Sequence, residues 1–157
     1  MKANEIKKVS CIGAGVIGYS WALYFALKEL NTTVYDINQE SLDLAKERIG
    51  ESLKSLIKNE VVTLEQCKKI EEKITYTTSI EEAVKDAQFI VESGPENYDI
   101  KRQIVNKIEQ YANAETIVTS STSGLLITEI AKDAKHPERF IGSHPYNPPH
   151  LIPLVKK

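Results

Sequence analysis

The sequence predicts an α/β fold in which helices cover both faces of a doubly wound parallel sheet. Short continuous apolar runs alternate along the chain with longer segments of helical periodicity. Strands that are buried on both faces read as such runs, and the strand-helix alternation is typical of parallel sheets. A chain of 157 residues fits one domain, which we predict to span residues 1–157.

The order of the elements follows from these patterns. Strands are expected at residues 9–12, 33–35, 74–77, 89–91, 117–119 and 140–142. Helices are expected at residues 16–30, 39–58, 64–72, 80–85, 98–111 and 128–132. The helices at 39–58 and 64–72 form a helical insertion between strands 2 and 3. The proline-rich run 145–153 cannot continue a strand ladder or a helix, so we expect the chain to leave the sheet there.

The composition is that of a globular protein without an electrostatic preference for polyanions. Hydrophobic residues make up 41% and charged residues 27% of the chain, with a formal net charge of -2. This balance gives no case for nucleic acid or a membrane surface as a partner, so we expect a small-molecule substrate. No apolar run approaches the roughly 20 residues of a membrane helix, and residues 1–5 lack the apolar segment of a signal peptide. These features predict a cytoplasmic protein.

A glycine-rich loop joins the first strand to the first helix. Residues 13–18 have the G-x-G-x-x-G spacing, in the strand-to-helix context that makes this motif informative. The first glycine permits the tight turn, the second leaves room for a pyrophosphate, and the third lets the helix approach the sheet. The free N–H groups and dipole of the helix N-terminus would then stabilise the phosphates. The loop residues assigned to cofactor binding are Gly13, Gly15, Val16, Ile17 and Gly18.

The second strand ends in an acidic residue, Asp36, about 20 residues beyond the loop, as a Rossmann-type dinucleotide fold requires. We expect Asp36 to accept hydrogen bonds from the adenosine ribose and to repel a 2′-phosphate. No arginine follows at residues 37–39, so NAD is favoured over NADP. Two alternatives stay open. The glycine loop could have no ligand, and Asp36 could cap the next helix, although Asn38 could provide that cap instead.

The segment after the fourth strand should border the cofactor, because ligands of doubly wound sheets bind outside the carboxyl ends of the strands. It contains Glu96, and Lys101 follows at the start of the next helix. One interpretation makes Glu96 a helix stabiliser and Lys101 a surface charge. The other gives both residues a functional role at the site.

Two further strand ends carry polar side chains suited to chemistry. Residues 119–123 all bear hydroxyl groups and could simply form a turn. They lack the G-x-S-x-G context of a hydrolase nucleophile, so hydrogen bonding to a substrate hydroxyl is the better functional interpretation of this run. His144 follows the sixth strand, and an imidazole of ordinary pKa near 6.5 is suited to taking a proton from an alcohol while hydride leaves the same carbon. A structural histidine is the alternative.

No metal site is expected. His136 and His150 do not form a helical i, i+4 pair with His144, and the spacing of Cys11 and Cys67 suggests neither a zinc site nor a disulfide. Both cysteines are expected to be plain thiols. The charged side chains of the helix at 39–58 are interpreted as a solvated face, with a clasp over a ligand's phosphates as the alternative.

Four motifs occur in order along the chain. They are Gly13-Ala14-Gly15-Val16-Ile17-Gly18 with Ser20-Trp21-Ala22, Ser121-Thr122-Ser123-Gly124-Leu125, His136-Pro137-Glu138-Arg139-Phe140, and His144-Pro145-Tyr146-Asn147-Pro148. Together they resemble the 3-hydroxyacyl-CoA dehydrogenase family, and in particular its L-carnitine dehydrogenase and L-gulonate 3-dehydrogenase (lambda-crystallin) branch. The resemblance covers nearly the whole chain.

The resemblance implies a function in fatty acid or related metabolism: oxidation of a substrate's 3-hydroxyl, with hydride passed to NAD. It implies that His144 is the base and that Ser123 and Asn147 contact the reacting region. It also implies that Glu96 and Lys101 join Asp36 and the glycine loop in holding NAD. The family's helical C-terminal domain, which closes over the substrate and builds a homodimer, is not part of residues 1–157.

The chain departs from the family pattern at two places. Acyl-CoA-using members bind CoA through a serine, matched by Ser52, and a lysine, where this chain has Asn59 beside Lys58. The family's histidine pairs with a glutamate, where this chain has Lys156. Two functions therefore stay open, an NAD-dependent 3-hydroxy dehydrogenase and a binding module that holds NAD without catalysis. A methyltransferase is disfavoured, because the loop and Asp36 follow the dinucleotide pattern.

Overall fold

A computed structural model describes residues 2–156 and contains a six-stranded parallel sheet with helices on both faces. Met1 and Lys157, the ends of the predicted domain, lie outside the described residues. The strands of the sheet are β1 (Lys8–Ile12), β2 (Asn31–Tyr35), β3 (Ile74–Thr77), β4 (Phe89–Glu92), β5 (Ile117–Ser120) and β6 (Phe140–Gly142). The helices are α1 (Val16–Leu27), α2 (Gln39–Lys58), α3 (Leu64–Glu72), α4 (Ile80–Val84), α5 (Tyr98–Tyr111) and α6 (Ile127–Ile130), with short 3₁₀ turns at Ala3–Glu5 and Pro137–Arg139.

The strand order is β3-β2-β1-β4-β5-β6, and every neighbouring pair is parallel. Cys11 of the central strand β1 pairs with Val34 on one side and Val91 on the other. The chain moves outward from β1 to β3 and then returns to build the other half from β4. The predicted Rossmann-type, doubly wound fold is therefore confirmed, and its ligand crevice lies where the two halves meet.

Each face of the sheet has its own apolar core. On one face, side chains of α1, α2 and α3 pack on the strands, with Trp21, Leu42 and Cys67 among them. On the other face, Val84 and Ile108 belong to the cluster that α4, α5 and α6 form with the strands. Burial on both faces explains why the strands read as continuous apolar runs.

Helix α2 buries one apolar stripe and exposes its charges. Its buried residues are Leu42, Ala45, Ile49, Leu53 and Leu56. Its exposed charged residues are Glu40, Asp43, Lys46, Glu47, Glu51, Lys54 and Lys58, whereas Arg48 is half-buried. This arrangement supports the interpretation of these charges as a solvated face.

Several predicted boundaries differ from the structure. Helix α1 ends at Leu27 rather than at residue 30, because Glu29 adopts a left-handed conformation with φ 63° and the chain turns into β2. Strands β4 and β5 each extend one residue further than predicted, to Glu92 and Ser120. These two polar residues pair with each other in register and are both buried.

The segment after β6 leaves the six-stranded sheet and pairs with itself. Strands β7 (His144–Pro145) and β8 (Val155–Lys156) form an antiparallel pair in which Pro145 is opposite Val155. The expectation that the proline-rich run cannot continue a strand ladder is therefore wrong for Pro145. Proline is compatible with an edge position, and each strand of this pair has a single neighbour.

Candidate functional site

The loop between β1 and α1 is shaped by backbone contacts that only glycine permits. Gly13 has φ 101°, and a Cβ there would stand 2.7 Å from the carbonyl oxygen of Ser93. A Cβ at Gly18 would stand 1.7 Å from the carbonyl oxygen of Gly13, so α1 approaches the loop only without that side chain. A Cβ at Gly15 would meet no atom within 4 Å. The backbone at Gly15 therefore borders open space.

That open space lies in front of the N-terminus of α1. Gly15 is the residue preceding the helix, and no side chain of residues 2–156 caps this end by a hydrogen bond. Val16 is 46% exposed at the first helical position, whereas Ile17 packs against the core. Uncapped N–H groups, the positive end of the helix dipole and room for a ligand together suit the pyrophosphate of a dinucleotide.

Asp36 lies at the carboxyl end of β2 and contacts the glycine loop directly. Its Oδ2 accepts a hydrogen bond from the Ala14 N–H at 2.9 Å. Helix α2 is capped by Asn38, whose Oδ1 accepts a hydrogen bond from the Ser41 N–H at 3.0 Å. The alternative in which Asp36 caps α2 is therefore excluded, and Oδ1 of Asp36 receives only a long contact of 3.4 Å from the Asn38 N–H.

A cleft of about 350 Å³ opens beside Asp36, between the ends of β1, β2 and β4. Its walls include the apolar side chains of Ile37, Ile80 and Ile100. Ile37 is 77% exposed at the margin of this cleft. An apolar cleft with a carboxylate at its margin suits a purine ring and its ribose. The site therefore fits the adenosine half of NAD.

Glu96 binds the hydroxyl-rich loop that follows β5. Its Oε1 accepts hydrogen bonds from the Thr122 hydroxyl at 2.7 Å, the Ser123 N–H at 2.9 Å and the Gly124 N–H at 3.1 Å. Burial alone would raise the pKa of Glu96, but these hydrogen bonds and the nearby charge of Lys101 outweigh it and lower the pKa below its ordinary value. The carboxylate thus stays ionised. It precedes Asn97, which caps α5, so it does not stabilise the first turn of that helix.

Lys101 is buried rather than at the surface. It is 1% exposed, and its Nζ donates to both carboxylate oxygens of Glu92 at 2.8 and 2.9 Å and to the Gly94 carbonyl at 3.1 Å. The interpretation of Lys101 as a surface charge is therefore wrong. The Ser120 hydroxyl donates to the same Glu92 carboxylate.

Glu92 is the centre of this buried cluster, and the sequence patterns did not identify it. The sequence contained one signal that could have identified Glu92. It is an acidic residue at the end of an otherwise apolar strand run, and Lys101 of the next helix follows it nine positions later.

The three candidate catalytic residues follow β5 and β6 at the carboxyl edge of the sheet. Ser123 is exposed, and its hydroxyl donates to Glu96 at 3.2 Å. His144 and Asn147 are also exposed, His144 in β7 and Asn147 in the turn that follows. Lys156 is the register partner of His144 in β8. The parallel strands bring these residues to one edge, and their roles stay predictions.

The proline-rich segment is anchored to α1 by His150. Its Nδ1 lies 2.7 Å from the Ser20 hydroxyl, and its backbone N–H donates to the same hydroxyl at 3.1 Å. Ser20 is fully buried, and burial lowers the pKa of His150 below its ordinary value. Through this contact, the segment that follows Asn147 packs against α1, the helix that follows the glycine loop.

The residues singled out for CoA binding lie on α2. The Ser52 hydroxyl donates to the Arg48 carbonyl of its own helix at 2.9 Å, and Asn59 ends the helix as its C-cap.

Cys11 and Cys67 are free and buried, and burial raises the pKa of both thiols. Among residues 2–156, no three His, Cys, Asp or Glu side chains are grouped as metal ligands. In the same range no helix is both long and apolar enough to span a membrane.

Comparison with known proteins points to one family. Residues 8–156 match the model of the 3-hydroxyacyl-CoA dehydrogenase, NAD-binding domain. L-Carnitine dehydrogenase of Streptomyces griseus is 36% identical over 157 residues, covering 98% of this chain and 44% of the relative. L-Carnitine dehydrogenase of Oceanobacillus iheyensis is 39% identical over 154 residues, covering 96% of this chain and 48% of the relative.

Among solved structures, 3-hydroxybutyryl-CoA dehydrogenase from Escherichia coli K12 superposes with a TM-score of 0.91 at 29% identity, over 96% of this chain and 32% of that chain. The chain thus spans less than half the length of each of these relatives.

Proposed function

Because this chain belongs to the 3-hydroxyacyl-CoA dehydrogenase family and corresponds to its NAD-binding domain, we propose that it serves the oxidation of the 3-hydroxyl of a hydroxyacyl-type substrate. The observation that carries the proposal is one continuous carboxyl edge of the sheet. Asp36 contacts the glycine loop at one end of this edge, and Glu96 contacts Ser123 towards the other. When bound, NAD supplies the hydride acceptor.

The glycine loop and Asp36 would hold the adenosine diphosphate half. The uncapped N–H groups at the start of α1 would bind the pyrophosphate. The carboxylate of Asp36 would accept hydrogen bonds from the ribose and repel an added 2′-phosphate, which favours NAD over NADP. Glu96, kept ionised by its hydrogen bonds, would border the other half.

His144 would take the proton of the substrate hydroxyl. The exposed imidazole can meet a substrate from outside the sheet edge, and Ser123 and Asn147 would orient the reacting group by hydrogen bonds. The relatives named for L-carnitine and for 3-hydroxybutyryl-CoA support a 3-hydroxy substrate class. A helical second domain closing over this edge and forming a homodimer would complete the site, as the greater length of the relatives suggests.

A non-catalytic NAD-binding module is the second candidate. The observation that favours it is Lys156, the register partner of His144 at the position where the family pattern has glutamate. A cation there cannot act as the anionic partner of an imidazolium that forms during proton transfer. The glycine loop and Asp36 would still bind the cofactor.

A titration with NADH tests the proposal. The single tryptophan, Trp21, lies on α1 three residues after Gly18, so NADH binding is expected to quench its fluorescence by energy transfer. We expect saturable NADH binding. Turnover of L-carnitine, L-gulonate or a 3-hydroxyacyl-CoA by the chain alone is expected to be slow or absent, because much catalysis depends on a closed, preorganised site. Absence of NADH binding would refute the proposal, and robust turnover would refute the need for a second domain.

A further inference from the structure

The chain after β6 is attached to the rest of the domain at few points. We call residues 144–156 the arm, which begins with β7 and ends with β8. Pro145 is buried, and from residue 146 to residue 156 every residue is exposed except Pro148, Pro149 and His150. The arm is therefore covered at its first proline and again at a single later point, residues 148–150.

A serine of α1 holds that later point. The Ser20 hydroxyl accepts the backbone N–H of His150 at 3.1 Å and lies 2.7 Å from Nδ1 of the same residue. Within residues 2–156, no other hydrogen bond joins the arm to the remaining part of the domain. The bond from the Tyr146 N–H to the Leu154 carbonyl, for example, stays inside the arm. One hydroxyl thus connects two segments that are 130 positions apart.

The hydrogen-bonding groups of this contact are all paired in one protonation state of the imidazole. Ser20 is fully buried, and within residues 2–156 its hydroxyl has no acceptor other than Nδ1 of His150. Because Oγ already accepts the His150 N–H, a hydroxyl that donates to Nδ1 leaves neither group unpaired. The imidazole is then neutral, with its hydrogen on Nε2. This state agrees with the direction in which burial moves the pKa of His150, below its ordinary value.

The contact joins two parts of the candidate site. Ser20 lies in the second turn of α1, two residues after Gly18 of the glycine loop. On the arm, His144 and Asn147 precede His150 by six and three residues, and both are exposed. Packing around their side chains therefore does not fix them. Their position depends on the backbone, which is held by the end of β6 on one side and by the Ser20–His150 contact on the other.

We propose that Ser20 and His150 are positioning residues, which hold the arm on α1 so that His144 and Asn147 stand at a fixed distance from the bound cofactor. The proposal rests on the function proposed above. Neither Ser20 nor His150 touches the reacting atoms, and both act through the arm. Such support matters because a displacement of about 1 Å can slow a reaction by about 10²-fold.

Four single variants separate this contact from a general loss of packing. Ser20→Ala removes the hydroxyl that binds the arm. Ser10→Ala is its matched control, because Ser10 is equally buried and its Oγ has no hydrogen-bond partner within residues 2–156. His150→Leu removes the ring acceptor, whereas His150→Asn keeps an oxygen close to the position of Nδ1 that can accept from Ser20.

Backbone ¹⁵N relaxation of the chain without ligand measures the attachment of the arm. We expect order parameters of about 0.85 for the arm amides of the original protein and values below about 0.6 in Ser20→Ala and His150→Leu. Ser10→Ala should match the original protein, and His150→Asn should retain most of the order. The NADH dissociation constant should be the same in all four variants, because none of them alters the glycine loop or Asp36.

Kinetics test whether the arm positions the reacting groups. In an enzyme that joins this domain to a helical substrate domain, we expect Ser20→Ala and His150→Leu to lower kcat for alcohol oxidation by about 10- to 100-fold, with the KM for NAD unchanged. His150→Asn should restore most of kcat, and Ser10→Ala should not change it. A contact that only stabilises the fold would leave kcat at its original value.

The outcomes separate this proposal from the proposed function. Order parameters in Ser20→Ala equal to those in Ser10→Ala would overturn the proposal, as would a loosened arm with unchanged kcat. Weaker NADH binding by Ser20→Ala with a rigid arm would also overturn it, by making Ser20 part of the cofactor site. If the unaltered protein does not bind NADH, the proposed function fails, but relaxation still tests the attachment of the arm. Should Ser20→Ala not fold, the comparison of His150→Leu with His150→Asn, at a partly exposed residue, decides by the same measurements.

Discussion

The backbones of Gly13 and Gly18 are so close that a Cβ at Gly18 would stand 1.7 Å from the carbonyl oxygen of Gly13. Since a backbone oxygen cannot swing aside as a flexible side chain does, Gly18→Ala must push α1 and the loop apart. We expect this variant to lose about 1–3 kcal/mol of unfolding free energy, the usual cost of overpacking. NADH binding should fall below detection. Urea unfolding followed by Trp21 fluorescence and an NADH titration measure the two effects.

Gly50→Ala is the control for that substitution. Gly50 lies inside α2, and a Cβ there would meet no atom within 4 Å. Alanine is a better helix former than glycine, so we expect the unfolding free energy to rise by about 0.5–1 kcal/mol with unchanged NADH affinity. A Gly18→Ala protein that is as stable and binds NADH as well as the original would contradict the close contact.

Asp36→Asn should reduce the preference for NADH over NADPH. Asparagine has the same shape and keeps an oxygen that can accept from the Ala14 N–H, but it removes the charge that would repel a 2′-phosphate. We expect the ratio of the two dissociation constants to fall by about tenfold, equivalent to about 1.4 kcal/mol. Parallel titrations measure it, with Asp86→Asn at an exposed position before β4 as the control. An unchanged ratio would rule out the role of Asp36.

His144→Gln should separate cofactor binding from chemistry. His144 follows β6, beyond the strands that contact the glycine loop, so we expect NADH affinity to stay nearly unchanged. In an enzyme that joins this domain to a helical substrate domain, alcohol oxidation should slow by about 10²–10⁴-fold, the usual contribution of a general base. Rates at saturating NAD measure the loss. Near-normal turnover by the variant would remove the support for His144 as the base.

His150 should make the fold less stable in mild acid. Burial lowers its pKa in the folded chain, so below about pH 6.5 the unfolded chain binds a proton that the folded chain resists. The unfolding free energy should therefore fall as the pH drops from 7 towards 5. His150→Gln should reduce this fall. Identical pH profiles of the original protein and His150→Gln would contradict the partly buried environment of His150.

The candidate site could be predicted where its geometry is local or follows from strand order. The glycine loop can be recognised from the spacing of three glycines between a strand and a helix. The position of Asp36 beside this loop can be predicted because β2, which Asp36 follows, must lie beside β1. Asn38 was recognised as a possible cap from its position alone, and the structure confirms it as the cap. The carboxyl edge shared by Glu96 and Ser123 could be expected for the same topological reason.

Glu92 and Lys101 could not be identified in this way. An acidic residue after an apolar run is equally compatible with a strand end in water, and a lysine on an amphipathic helix is usually exposed. Only the packing of α5 against β4 and β5 excludes water from both, and the loss of water is what forces the two charges to pair. The return of His150 to Ser20 was missed for a related reason, since the two residues are 130 positions apart.

The amino-acid order alone was enough for the parallel α/β architecture and the cofactor end of the site, because periodicity, glycine spacing and strand-end position are properties of neighbouring residues. The tertiary structure decided which charges are buried, which hydroxyls Glu96 binds and that Lys156 stands opposite His144. Those relationships depend on distances between segments far apart in the chain. Such distances are set by how whole helices and strands pack, which no local pattern contains.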